Sequence, residues 1–115
     1  MKRLLVAISC LVLASPAFGQ AFAPLDGSTV TISVSASSQS VLLAKDGPVR
    51  MMNNGTATVW VRCGSSGVTA STSDIPVPSG AVEVLSFNHP NGPLYCAAIA
   101  AGSTGNIYFT PGIGI

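Results

Sequence analysis

Apolar and polar residues alternate with a period of two along much of this chain, and this pattern limits its possible folds more than any other feature. From Thr29 to Val34, three β-branched apolar side chains fall on one face and three hydroxyl side chains on the other, as in a half-buried strand. After Gln20, no stretch keeps a helical period through three turns. The sequence therefore predicts an all-β chain.

Turn-forming residues divide the chain into short strands. We predict strands at 29–34, 40–44, 49–53, 56–63, 81–87, 94–101 and 107–110, a further short one at 68–70, and extended segments at 74–78 and 111–115. Asn54-Gly55 predicts a type I′ hairpin that brings 56–63 back antiparallel to 49–53, since both residues accept a positive φ. Seven or eight short strands indicate a single β-sandwich, jelly-roll or immunoglobulin-like, and the sequence leaves the strand order open.

The apolar faces of the alternating strands predict one hydrophobic core. Side chains that share such a face point to the same side of a sheet and are buried together. We expect this core to contain Val30, Ile32, Val34, Val59, Val61, Val82, Val84 and Ile107.

Residues 1–19 have the three-part pattern of a secretory signal peptide. Lys2 and Arg3 precede an apolar run, and small residues follow it, so that cleavage is expected before Gln20. The run is shorter than the roughly 20 residues of a permanent transmembrane helix, and we expect no stable membrane span in the mature chain. A lipoprotein signal that uses Cys10 is an alternative, although its apolar core would be short.

Residues 20–115 are sufficient for one β-sandwich domain with one core. Only 8% of the chain is charged, against about 25% in an ordinary soluble domain. Such a surface is typical of exported proteins and of subunits that bury much of it in an assembly. After residue 19 the formal net charge is −1, from Lys45, Arg50 and Arg62 against Asp26, Asp46, Asp74 and Glu83. Without a basic stripe, nucleic-acid binding is disfavoured.

Two cysteines, Cys63 and Cys96, remain after cleavage before Gln20. In an exported protein such a pair can form a disulfide, which would close a loop of about 33 residues and stabilise the fold by about 3 to 4 kcal/mol. The alternative is that both are small buried side chains with free thiols. The sequence leaves both interpretations open.

The sequence predicts no catalytic, cofactor-binding or metal-binding residues. His89 is the only histidine, and no Gly-x-Ser-x-Gly motif accompanies it, so a hydrolytic triad is not expected. A zinc or copper site would need a second histidine or a C-x-x-C pair beside Cys63 and Cys96. No glycine-rich loop leads into a helix to hold a phosphate. We therefore expect a protein that is not an enzyme.

Trp60 and Arg62 share the strand face opposite Val59 and Val61. Both residue types are common in interface hot spots, so this pair is a candidate partner surface. The alternative is that Trp60 packs against a crossing loop of its own domain.

Two segments, VRMMNNGTATVWVRCGSSGVTASTSDIPVPSGAVEVLSF and LYCAAIAAGSTGNIYFTPGIGI, resemble small β-sandwich proteins from the structural gene clusters of tailed phages and prophages. The similarity covers Phe22 to Ile115. It lies in the order of elements: a Val-Arg strand, an Asn-Gly-Thr turn, a Val-x-Val-Arg strand, an Ile-Pro-Val-Pro-Ser-Gly element, an alanine-rich strand and a Gly-Ile ending.

The resemblance implies a non-enzymatic protein of the virion surface, such as a capsid decoration or cement protein. Its partners would be a capsid or tail protein lattice, or its own copies in a homo-oligomer. The signal-like segment departs from this pattern, because phage heads assemble in the cytoplasm. The alternative is an exported bacterial binding module, periplasmic, surface-attached or extracellular, that holds a ligand with the loop at 65–79.

Overall fold

The computed structural model describes residues 21–90 and 92–114, so the predicted signal segment and its cleavage site lie outside the described residues. The described part contains nine strands: β1 (Ala23–Pro24), β2 (Val30–Val34), β3 (Gln39–Leu42), β4 (Gly47–Asn53), β5 (Val59–Gly64), β6 (Ile75–Val77), β7 (Val82–Phe87), β8 (Tyr95–Ile99) and β9 (Gly105–Ile113). A search of this part finds no helix long and apolar enough to cross a membrane.

The strands form two antiparallel sheets with a defined order. The first sheet runs β2-β9-β4-β7, with β1 pairing the far end of β9, and the second runs β3-β8-β5-β6. From β2 onward, each strand lies in the sheet opposite the preceding one, except that β6 follows β5 in the same sheet. This connectivity is that of the eight-stranded jelly roll, built from two Greek keys. The predicted β-sandwich is confirmed, and its strand order is jelly-roll and not immunoglobulin-like.

The core lies between the two sheets and is fully closed at its centre. Five of the eight residues predicted for it are buried, namely Ile32, Val34, Val59, Val61 and Ile107, while Val30 is partly buried against them. The largest fully buried side chains are Met51 on β4, Phe109 on β9 and Leu94, the residue before β8.

The prediction for β7 is wrong, because the strand presents its other face to the core. Val82 exposes 49% of its surface, and Val84 pairs with Arg50 on the outward side of the first sheet. Leu85 and Phe87 instead pack against the core. Apolar residues occupy both faces of this strand, and the larger pair turns inward because it buries more apolar surface.

The predicted type I′ hairpin at Asn54-Gly55 is also wrong. β4 and β5 lie in different sheets, and neither Asn54 nor Gly55 has a positive φ. The fully buried Asn53 side chain holds the connection by which the chain crosses from β4 in the first sheet to β5 in the second. Its Nδ2 donates to the carbonyls of Ala57 and Val77, and its Oδ1 accepts from the Gly55 N–H, each at 2.9 Å.

Other differences from the predicted strands are smaller. Residues 68–70 form a loop, in which the Ala70 N–H donates to Ser38 Oγ at 2.8 Å. The expected extended tail is the end of β9, and it is held by β1, which the sequence did not predict. The segment at 75–77 becomes a short edge strand, β6, despite its proline.

A candidate interaction surface

A disulfide joins the two central strands of the second sheet. Cys63 on β5 and Cys96 on β8 stand directly opposite each other, and their Cα atoms are 4.0 Å apart. This separation is inside the limit of about 7 Å for a bridge. Cys96 is fully buried and shares its inward face with the buried Leu94 and Ala98. The bridge therefore fixes β5 and β8 side by side, while their alternate residues point away from the core.

Trp60 and Arg62 lie on the outward side of this sheet. Trp60 stands between Ile99 on β8 and Pro76 on β6, and it is partly exposed. Two positions along β5, Arg62 stands beside Ala97 and exposes 62% of its side chain. The structure thus brings both residues of the predicted pair to one surface, with neighbouring strands on each side.

The same surface continues to the strand at the other edge. Tyr95 stands between Leu42 on β3 and Gly64 on β5, and Leu42 exposes 49% of its surface. We call this side of the second sheet the outer face, and we define it by Leu42, Trp60, Arg62, Pro76, Tyr95 and Ile99. Sequence reasoning missed Tyr95 and Ile99, because the apolar run at 94–101 hides the alternation of its two faces. It missed Leu42 for a similar reason, since Val41 and Leu43 on either side are also apolar.

Arg62 is the only charged residue in the four strands of this sheet. Its Nε lies 3.9 Å from Oδ1 of Asp74, in the loop before β6. The other carboxylate oxygen of Asp74, Oδ2, accepts a hydrogen bond from the Ser71 N–H at 2.7 Å. A pair this long and this exposed contributes little stability. The Arg62 guanidinium therefore remains available to a partner.

A polar groove lies beside one end of the outer face. It has a volume of about 490 Å³ and is lined by the end of β5 at 62–64, the loop at 65–69 and His89. The His89 N–H donates to the Asp46 carboxylate at 3.4 Å, a contact of the backbone and not of the imidazole. Among the described residues, the buried Nε2 of His89 has no hydrogen-bond partner. Of the candidate loop at 65–79, only the first part lines this groove.

Within residues 21–90 and 92–114, no group of three or more His, Cys, Asp or Glu side chains could hold a metal ion. Comparison with known protein families, with curated proteins and with solved structures finds no match for this chain. The similarity to phage structural proteins therefore stays a prediction, and the outer face is the basis of the functional proposal.

Proposed function

We propose that this chain is a non-enzymatic structural protein, a jelly-roll subunit that attaches to a protein lattice on the surface of a virus particle. The attachment site is the outer face, and the chain acts as a capsid decoration or cement protein. One observation carries the proposal. The outer face combines two aromatic and two aliphatic side chains with a single charge, namely Trp60, Tyr95, Leu42, Ile99 and Arg62.

This composition favours contact with another protein. The centres of protein interfaces are poor in charged residues and enriched in Trp, Tyr and Arg. A partner that covers the outer face desolvates one charge, the guanidinium of Arg62, which can donate to a carboxylate or a carbonyl of that partner. Covering Leu42, which is about half exposed, contributes about 1 kcal/mol.

The size of the outer face favours attachment in many copies. A four-stranded sheet with five-residue strands is about 14 Å wide and about 16 Å long. This area is smaller than the roughly 800 Å² that each partner contributes to a standard interface. One copy would therefore bind weakly, whereas a repeated lattice holds linked copies by avidity. The jelly roll itself occurs in viral capsids and in lectins, so the fold alone does not assign the function.

The disulfide supports a role outside the cytoplasm. Disulfides persist on virion surfaces, in the periplasm and in secreted proteins, and they are rare in the cytosol. The bridge between Cys63 and Cys96 therefore favours the exported bacterial binding module, and it is compatible with a virion protein only in a particle that has left the cell. On this proposal, the bridge forms when the assembled particle is released.

Co-sedimentation with particles that lack the protein tests the proposal. Tyr95→Ala removes an aromatic ring from the outer face, and we expect at least tenfold weaker attachment, as for a hot-spot residue. Tyr108→Ala is the matched control, because Tyr108 is also partly exposed but stands on the outward side of the first sheet, opposite Met52. Equal losses in both variants, or no loss in either, would contradict attachment through the outer face.

A second candidate is an exported bacterial module that holds a ligand with the loop at 65–79. The polar groove and the unpartnered Nε2 of His89 favour it. Under the first proposal, His89→Ala leaves attachment to particles unchanged, because His89 is not part of the outer face. A chain that starts at Gln20 in a periplasmic extract, and that does not attach to particles, would replace the first candidate with the second.

A further inference from the structure

Strand β7 has a long free edge. Among the described residues it pairs with β4 alone, and it extends over six residues from Val82 to Phe87. Natural edge strands are usually protected by shortness, by Pro or by charged side chains, of which Lys is the most common. Two other edges of this sandwich follow that rule, since β6 has three residues with Pro76 and β1 has two with Pro24. β7 contains neither Pro nor Lys, and its one charged residue, Glu83, pairs with Met51 on the inward side of the sheet. With six residues it is longer than β2 and β3, the other described edge strands without Pro or Lys.

The backbone groups at this edge can be identified from the pairing with β4. The Asn53 N–H donates to the Ala81 carbonyl, so the odd-numbered residues on the β7 side bond to β4. Hydrogen-bonding direction alternates along an antiparallel strand. The N–H and C=O groups of Val82, Val84 and Ser86 therefore point away from β4, toward the free edge. The edge offers three donors and three acceptors in a row.

The core is also less well closed along this edge. Leu85 and Phe87 face inward but remain partly exposed, whereas Val49 and Met51 on the adjacent β4 are 0% exposed. On the outward side, Val82 exposes 49% of its surface. A strand added here would cover apolar side chains on both faces as well as the free backbone groups.

We propose that β7 pairs antiparallel with β7 of a second copy, across a two-fold axis at Val84. In this register Val84 faces Val84 of the other copy, and Val82 faces Ser86, so that all six free groups of each copy are satisfied. Glu83 then faces Leu85 of the other copy, and two like charges do not meet. The net charge of −1 after residue 19 adds little repulsion between copies.

The pairing itself does not depend on the proposed function, but it has a consequence for it. The two-fold axis is perpendicular to the extended first sheet, so both second sheets lie on the same side of it. The two outer faces therefore point in the same direction. One dimer can engage a lattice twice, which raises the avidity of a face that is small in a single copy.

Cysteine cross-linking tests the register in protein recovered from cells that express the full chain. Val84→Cys places two thiols opposite each other at about 5.5 Å between Cα atoms, which is within disulfide reach. We expect a covalent dimer on a non-reducing gel. Val82→Cys is the matched control and is expected to stay uncross-linked, because it faces Ser86 of the other copy. Cross-linking of both variants, or of neither, would overturn the proposed register.

Sedimentation analysis tests the dimer itself. The unmodified chain is expected to sediment at twice its monomer mass, and Val84→Pro at the monomer mass with an unchanged β-sheet spectrum, because the lost N–H points away from β4. Val84→Lys, which keeps the backbone intact, is expected to dissociate as well. A monomeric unmodified chain, or a dimer that survives both substitutions, would overturn the pairing. Tyr95→Ala should leave the dimer intact. Loss of attachment through the outer face can therefore be distinguished from loss of dimerisation through β7.

Discussion

Gly55 and Gly105 pack backbone to backbone where the β4–β5 and β8–β9 connections meet, and neither position has room for a side chain. A Cβ atom on Gly55 would lie 2.6 Å from the Thr104 carbonyl oxygen, and one on Gly105 would lie 2.6 Å from the Gly55 Cα. The Thr56 N–H donates to the same carbonyl at 2.8 Å. This contact ties together two connections that cross between the sheets at one end of the sandwich.

Gly55→Ala should destabilise the fold by about 2 kcal/mol, because the added methyl group meets backbone that cannot move aside easily. Gly102→Ala is the matched control, since no atom lies within 4 Å of its added Cβ. Urea unfolding of the two variants measures the difference. Equal midpoints would contradict the close approach of these connections.

Asn53→Ala should lower the free energy of unfolding by about 3 kcal/mol, because the Ala57 and Val77 carbonyls and the Gly55 N–H lose their partner in a buried site. Thermal unfolding followed by circular dichroism measures this loss. Asn54→Ala is the control. Asn54 is exposed and has no positive φ, so this change should cost less than about 0.5 kcal/mol. A large cost at Asn54 would instead indicate the type I′ turn.

Reduction of the disulfide should lower stability by about 3 to 4 kcal/mol, because the unfolded chain regains the freedom of the loop between Cys63 and Cys96. The measurement compares the denaturant midpoints of the oxidised and reduced forms. Both forms have the same sequence, so no change of core side chains contributes to the difference. Native mass analysis checks the starting state, since the bridged chain is two hydrogens lighter. Two alkylatable thiols in the native protein would refute the bridge.

Leu85→Ala should destabilise the domain by about 2 kcal/mol, since Leu85 packs against the core. Val82→Ala should cost less than about 1 kcal/mol, because Val82 is about half exposed on the other face of β7. Chemical denaturation of both variants tests which face of β7 is inward. The reverse order of costs would restore the original prediction from the sequence.

Alternation was sufficient to predict the strands whose two faces differ in polarity. Thr29 to Val34 is the clearest case, and its Ile32 and Val34 are buried as predicted. It failed for β7, where both faces are apolar, and it could not separate the faces of β8 for the same reason. In such strands the inward face depends on how well side chains from other strands fill the space, and this information is not local.

The connection after β4 shows a different limit of sequence reasoning. Asn54-Gly55 has the chemistry of a tight hairpin, but Gly55 is needed for its small size beside Thr104 and not for a positive φ. The role of Asn53 could not be predicted from the sequence, because a buried amide is recognised only when its three hydrogen-bond partners are known. The pairing of Trp60 with Ile99 and Pro76 likewise depends on strand order, which local patterns leave open.

Mass spectrometry of purified particles and of cell fractions, from the host that carries the gene, tests the central claim most directly. If the chain is a structural protein of the virion, it is found in the particles in many copies, with Cys63 and Cys96 bridged. If instead the particles lack the chain and the periplasm contains it with Gln20 as its first residue, the structural role is contradicted.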